Sequence, residues 1–178
     1  MSKRRSNTSK PPDRTIYLDE NLSKNLAPEL RRYVEWRVEV HVDHYPPDKI
    51  PKGESIPDTE VLKKCGENGW ILITRDDKMR LVPDNQEIAE KYATQVFLFP
   101  SGNYRGGEYL AALVAGRHKI LKFAGRFRGP FWARVCMTGD VYHLDKTRDP
   151  RNAPTSTEKT DVKFATPSIL KNKNVEPV

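Results

Sequence analysis

Three aspartates stand where a carboxylate can do chemistry: Asp19, Asp58 and Asp76. Asp19 follows the apolar run Thr15-Ile16-Tyr17-Leu18. Asp58 heads a helical pattern. Asp76 comes just after Trp70-Ile71-Leu72-Ile73-Thr74. Mg2+ and Mn2+ prefer hard oxygen ligands, and Mg2+ keeps several waters, so two or three converging carboxylates hold one ion beside a phosphate. Such an ion polarises a phosphoryl oxygen and lowers the pKa of a bound water. Thr74 is a fourth catalytic candidate, because its hydroxyl can orient a water or a ligand carboxylate. Glu20 and Asp77 are spare ligands beside these positions. Arg75 and Lys78 flank the acids and are the candidates for holding a scissile phosphate. Each aspartate also has an ordinary explanation: an Asx turn at Asp19, a helix cap at Asp58, a solvated loop at Asp76 and Asp77. Convergence is what weighs against those readings, since clustered carboxylates repel and a cation resolves the repulsion.

Bringing these residues together is the task of the elements around them. The apolar run before Thr74, preceded by Gly69, reads as a strand buried on both faces, as strands of parallel sheets are. Ligands of open α/β sheets bind beyond the carboxyl ends of such strands. Upstream, Thr15–Leu18 reads as a first strand. Leu22, Leu26, Leu30, Tyr33 and Val34 recur at helical spacing, with Pro28 in the first turn. Val38–Val42 reads as a second strand, and 43–56, with three prolines and Gly53, as a long loop. Ser55 and Asp58 have capping-box spacing, and Val61, Leu62 and Cys65 share a helix face with Asp58. Gly66 and Gly69 close that helix.

Downstream, the pattern predicts a helix over 84–92 with Ile88, Ala89 and Tyr92 inward, then a strand over 95–99. A Gly-rich loop at 100–107 lacks the G-K-[ST] ending of a phosphate loop. A helix over 108–122 follows, with Leu110, Leu113, Val114 and Leu121 toward the core. A hairpin over 131–144 turns at Thr138-Gly139-Asp140. Alternating strands and helices predict an α/β fold with a mostly parallel central sheet and a C-terminal hairpin. The expected organisation is a flexible basic arm at 1–14, one domain at 15–144, and a polar tail at 145–178. That tail is expected to be disordered, or to dock through its apolar segment 162–170.

Composition narrows the class. The chain has 178 residues, a formal net charge of +7 and a sequence pI near 9.4. A basic surface around an acidic site suits a metal-dependent nuclease, because the surface attracts phosphates while the carboxylates hold metal. Cys65 and Cys136 lack a C-x-x-C partner and read as small buried apolar residues of a reducing compartment. No basic-then-apolar leader and no run of about 18 apolar residues occurs. The expectation is a soluble cytoplasmic protein without a membrane partner.

The segments L-D-E-N-L and P-D-x-E-V-L-x-x-C-x-x-x-G-W-I-L-I-T-R-D-D carry a resemblance. Together they resemble the PIN-like (PilT N-terminus) nuclease family, nearest the compact branch that includes VapC-type ribonuclease toxins. That branch has D-E-N after its first strand, an aspartate heading the next helix, and T-x-D after a buried strand. The resemblance implies a three-layer PIN-like fold and a Mg2+- or Mn2+-dependent endoribonuclease, often neutralised by an antitoxin. It places the metal ligands at Asp19, Asp58 and Asp76. Lys78 and Met79 stand where the family often has a second aspartate and an aromatic residue.

Arg117, His118, Lys119, Lys122, Arg126 and Arg128 crowd one span, with Phe123, Phe127, Phe131 and Trp132 among or just beyond them. Cations neutralise phosphates and aromatics stack on unpaired bases. Arg126 and Arg128 are accordingly candidate RNA contacts, and the aromatics read as core. The four histidines show no metal-ligand spacing and read as solvated or packed. The sequence thus points to an endoribonuclease, the toxin of a toxin–antitoxin pair, acting on RNA alone or as a homodimer. Its rival is a catalytically weak PIN-like module that binds RNA or protein. A phosphoreceiver domain fits less well, because Pro100-Ser101 stands where its lysine belongs.

Overall fold

The computed structural model describes residues 14–34 and 36–144. The expected arm (apart from Arg14) and the expected tail lie outside the described residues. The elements run β1 (Thr15–Leu18), α1 (Leu26–Val34), β2 (Arg37–Val40), α2 (His41–His44), α3 (Asp58–Glu67), β3 (Ile71–Thr74), α4 (Pro83–Lys91), β4 (Gln95–Leu98), α5 (Gly106–Arg126), β5 (Phe131–Val135) and β6 (Val141–Leu144). Short 3-10 turns lie at Pro47–Lys49 and Met79–Leu81.

The strands form one sheet in the order β2-β1-β3-β4-β5-β6, parallel except for the antiparallel β5–β6 hairpin. Strand period explains the layering, because successive side chains point to opposite faces. Ile16, Leu18, Ile71, Ile73, Phe97 and Ala133 share one face with α1 and α5. Tyr17, Leu72, Val96, Leu98 and Trp132 share the other with α3 and α4. Both faces are covered, so every residue of β1 and β3 is buried. The result is an α/β fold of helix, sheet and helix layers, as expected.

The boundaries depart from expectation for identifiable reasons. The second strand stops at Val40 rather than Val42. Leu18 pairs with Val40 and is the last residue of β1, so the ladder has no partner beyond it. His41–Val42 instead begin α2, closed by the Tyr45 N–H donating to the His41 carbonyl at 2.9 Å. The Ser55–Asp58 capping box does not form: α3 begins at Asp58 after Pro57, with no side-chain cap. Gly66 lies inside α3. Its helix ends instead in a Schellman pattern, Gly69 N–H to the Gly66 carbonyl and Trp70 N–H to the Cys65 carbonyl, with Gly69 at φ +65°.

Two helix faces also differ. Tyr33 is exposed, because the buried stripe of α1 runs Leu26, Ala27, Leu30, Val34 and leaves Tyr33 at its flank. Helix α5 runs to Arg126, past the expected end at Lys122, because Ala124 is buried and Phe123 packs edge-on against Phe97 and Phe131. Its fully buried stripe is Tyr109, Ala112, Leu113, Gly116, Ile120 and Ala124, while Leu110, Val114 and Leu121 are only partly covered. Cys65 is buried as expected, whereas Cys136 is half-buried, and both are free thiols. No helix among the described residues is long and apolar enough to cross a membrane.

Candidate active site

Strands β1 and β3 are hydrogen-bonded neighbours. The connections leaving them go to opposite sides, toward β2 and toward β4. That is the switch point of a doubly wound sheet, where a crevice opens beyond the carboxyl ends. The Asp19 N–H continues the ladder by donating to the Ile73 carbonyl at 3.1 Å. Asp19 is thereby held level with Thr74.

Asp19 is 5 % exposed and its carboxylate is saturated on one side. Oδ2 accepts from Thr74 Oγ1 at 2.6 Å and from Asn21 Nδ2 at 2.8 Å, and Oδ1 accepts from the Glu20 N–H at 2.9 Å. Oδ1 therefore retains acceptor capacity. Asn21 links three segments: Nδ2 also donates to Thr74 Oγ1 at 2.9 Å, and Oδ1 accepts from the Arg75 N–H at 3.0 Å. Thr74 Oγ1 accepts in turn from the Asp76 N–H at 3.0 Å. One hydroxyl thus ties the first aspartate to the loop that carries the third.

Asp58, the first residue of α3, accepts from Asn85 Nδ2 at 3.2 Å. Asp76 Oδ1 accepts from the Lys78 N–H at 2.8 Å, which makes the tight turn after β3. Burial pushes the Asp19 carboxyl above its ordinary value, against the hydrogen bonds from Thr74 and Glu20. Burial also pushes Asp58 up. Its bond from Asn85 opposes this, and the charges of Asp76 and Asp19 add to it. The three carboxylates are therefore in electrostatic reach of one another.

Residues 15–101 match the family model of a PIN like domain. This stretch is a PIN-like domain. PIN-like domains are a family of nucleases, and they generally use divalent metals. Comparison with curated proteins found no match, and comparison with solved structures found none.

The donor chemistry of the PIN-like domain suits a hard divalent ion: all three side chains offer carboxylate oxygen, and their mutual repulsion is what a cation relieves. Among the described residues, however, no group of three His, Cys, Asp or Glu side chains stands close enough to hold an ion together. Mg2+ is commonly held through one or two carboxylates, its remaining positions filled by water and phosphate, so the donor set fits a hydrated ion and not a closed cage.

The flanking residues divide. Asp77 turns away from the carboxylates: its Oδ1 accepts from Arg134 Nη2 at 2.9 Å, and Ser101 Oγ lies 3.5 Å from its Oδ2. Burial nonetheless outweighs the Arg134 and Arg80 charges and raises the Asp77 carboxyl. Glu20 is largely exposed, with Oε2 3.7 Å from His41 Nε2. Lys78 is exposed beside the acids. Arg75 is half-buried and engaged: it donates to the Asn21 and Gly102 carbonyls at 3.5 and 3.0 Å and lies 4.9 Å over the Tyr109 ring. It braces the loop at 100–107 against the loop after β1.

Arg126 and Arg128 are not brought to the carboxylates. Gln95, the first residue of β4, donates to the Ala124 and Phe127 carbonyls, so the end of α5 lies at the amino-terminal edge of the sheet, opposite Asp19. Three residues of the PIN-like domain's edge escaped sequence reasoning. Asn21 was visible inside D-E-N, but not its bonds to two strands. His41 is 7 % exposed under Tyr17 and Asp19, with Nδ1 3.2 Å from the Tyr17 hydroxyl and 4.0 Å from Asp19 Oδ1. Arg134 carried the plainest signal, a cation inside the apolar run F-W-A-R-V.

Proposed function

We propose that this chain is a metal-dependent endoribonuclease acting through Asp19, Asp58 and Asp76. The observation that carries the reading is the bond from Thr74 to Asp19 at the β1–β3 switch point, in a PIN-like domain whose other two carboxylates lie in reach. Thr74 and Asn21 fix the Asp19 carboxylate on Oδ2, so Oδ1 is the oxygen turned to a ligand. Asp58 and Asp76 supply the facing oxygens. A divalent ion held there would polarise a phosphoryl oxygen and supply hydroxide near neutral pH. Lys78, exposed at the rim, is the cation best sited for the phosphate. The basic balance of the chain supports RNA as the attracted polymer.

The toxin reading, with a cognate antitoxin as partner or a second copy forming a homodimer, rests on the resemblance to VapC-type proteins. The rival, a non-catalytic PIN-like binding module, has one observation in its favour: Arg134 occupies Asp77, which removes the nearest spare ligand. Incubation of purified protein with structured RNAs and Mn2+ separates the two. The nuclease reading expects cleavage by the wild type and its loss in Asp19→Asn and Asp76→Asn. Equal cleavage by all three proteins, or none with metal present, overturns it.

A further inference from the structure

A cavity of about 470 Å3 opens at the same sheet edge, on the β2 side of Asp19. Asp19 and Glu20 form part of its lining, while neither Asp58 nor Asp76 does. Leu22, Val42 and Ile50 give it apolar walls. His41 and Tyr45 give it aromatic ones, their ring centroids 5.0 Å apart. Lys24 stands exposed at the rim. An apolar, partly aromatic hollow of this size with few polar groups is the usual form of a small-ligand site.

One polar group in it lacks a partner. His41 Nε2 is buried with no hydrogen bond, and faces the Glu20 carboxylate across 3.7 Å. Burial raises the Tyr17 phenol far above its ordinary value, so it stays protonated. Assigning that proton to the bond with His41 Nδ1 puts the ring proton on Nε2, a donor without an acceptor. A buried donor left unpaired costs free energy until something accepts from it.

We propose that this cavity is a subsite for one unpaired nucleoside of the strand cleaved at the neighbouring carboxylates, an inference that rests on the nuclease reading. A base has flat faces for the Tyr45 and His41 rings and edge acceptors for the Nε2 proton. Asp19 and Glu20 repel phosphate, so the ring enters and the backbone stays outside, near Lys24. A paired base cannot turn into such a hollow, which restricts the substrate to single-stranded segments.

The test titrates the intact protein, in EDTA, with the four ribonucleoside 5′-monophosphates while following the His41 ring resonances by NMR. At least one nucleotide is expected to shift them saturably. Ile50→Trp, which fills the cavity, weakens that binding roughly tenfold or more, the range of one lost base stack. Ser23→Trp, at the exposed rim, does the same if Ile50→Trp fails to fold by circular dichroism. Asp76→Asn binds as the wild type does. With RNA, the filled variant raises KM more than it lowers kcat. No saturable shift with any nucleotide, or equal binding by the filled variants, overturns the subsite. If the wild type binds nucleotides but cleaves no RNA with Mn2+, the nuclease reading fails and the pocket stands. If it cleaves without binding them, the reverse holds.

Discussion

Thr74 Oγ1 donates to Asp19 Oδ2 at 2.6 Å across 55 positions of sequence, from the end of β3 to the end of β1. The hydroxyl is fully buried, and it also accepts from Asn21 Nδ2 and the Asp76 N–H. Thr74→Val keeps the shape and strands all three partners. It is expected to cost about 2–3 kcal/mol, the range for leaving buried polar groups unpaired. Thr74→Ser keeps the hydroxyl and should lose under about 1.5 kcal/mol, the cost of one buried methyl. Urea unfolding of the two variants checks the order. Equal losses would show that the methyl, not the hydroxyl, is what the site needs.

Asp58 predicts a pH effect. Its folded pKa lies above the unfolded value because of burial and the neighbouring aspartates. The stability linked to its proton is therefore complete below the unfolded value of about 3.9 and lost as pH rises through the folded one. Asp58→Asn removes that loss while its amide oxygen still accepts from Asn85. In metal-free buffer the variant should be the more stable protein at pH 7, with the gap closing below pH 4. Added Mn2+ should stabilise the wild type and narrow the gap at pH 7. Thermal melts across pH, with and without Mn2+, measure both effects.

Asp77 and Arg134 form a mostly buried pair, their side chains 18 % and 14 % exposed. Removing one partner of such a pair leaves a buried charge unbalanced. Asp77→Ala is expected to cost about 2–4 kcal/mol, and an apolar replacement of both residues less than either single change. Mn2+ affinity, read by calorimetry, should be unchanged in Asp77→Asn, because that carboxylate faces away from Asp19. A large fall in affinity would return Asp77 to the ligand set.

Gly116 in α5 sets two effects against each other. Alanine gains about 1 kcal/mol of helix propensity. Its Cβ, however, would stand 2.8 Å from the Gly139 carbonyl oxygen in the β5–β6 turn. Gly139 holds φ +82°, so that turn has little freedom to retreat. Gly116→Ala should therefore destabilise the fold by about 1–3 kcal/mol, the cost of overpacking, as read from the denaturant midpoint.

The helix-and-strand order and the burial of β3 were legible because each is a local pattern: a period of two or 3.6, or an apolar run with glycine at its end. So was the placing of Asp19, Asp58 and Asp76 beside element ends, since topology puts the carboxyl ends of parallel strands on one edge. Sequence spacing also fixed which residues share a strand face, as Ile71 and Ile73 do against Leu72. What it left open depended on partners distant in the chain. Whether Asp77 joined Asp76 or turned to Arg134 was decided by β5 lying two strands away from β3. Whether Arg126 and Arg128 met the acids was decided by the direction of α5, which carries its basic end to the opposite edge. The cavity beside Asp19 exists because β2 ends at Val40 and the chain folds His41 back under Tyr17. A hydrogen bond or a hollow belongs to surfaces brought together by packing, and no residue type or spacing along one strand specifies them.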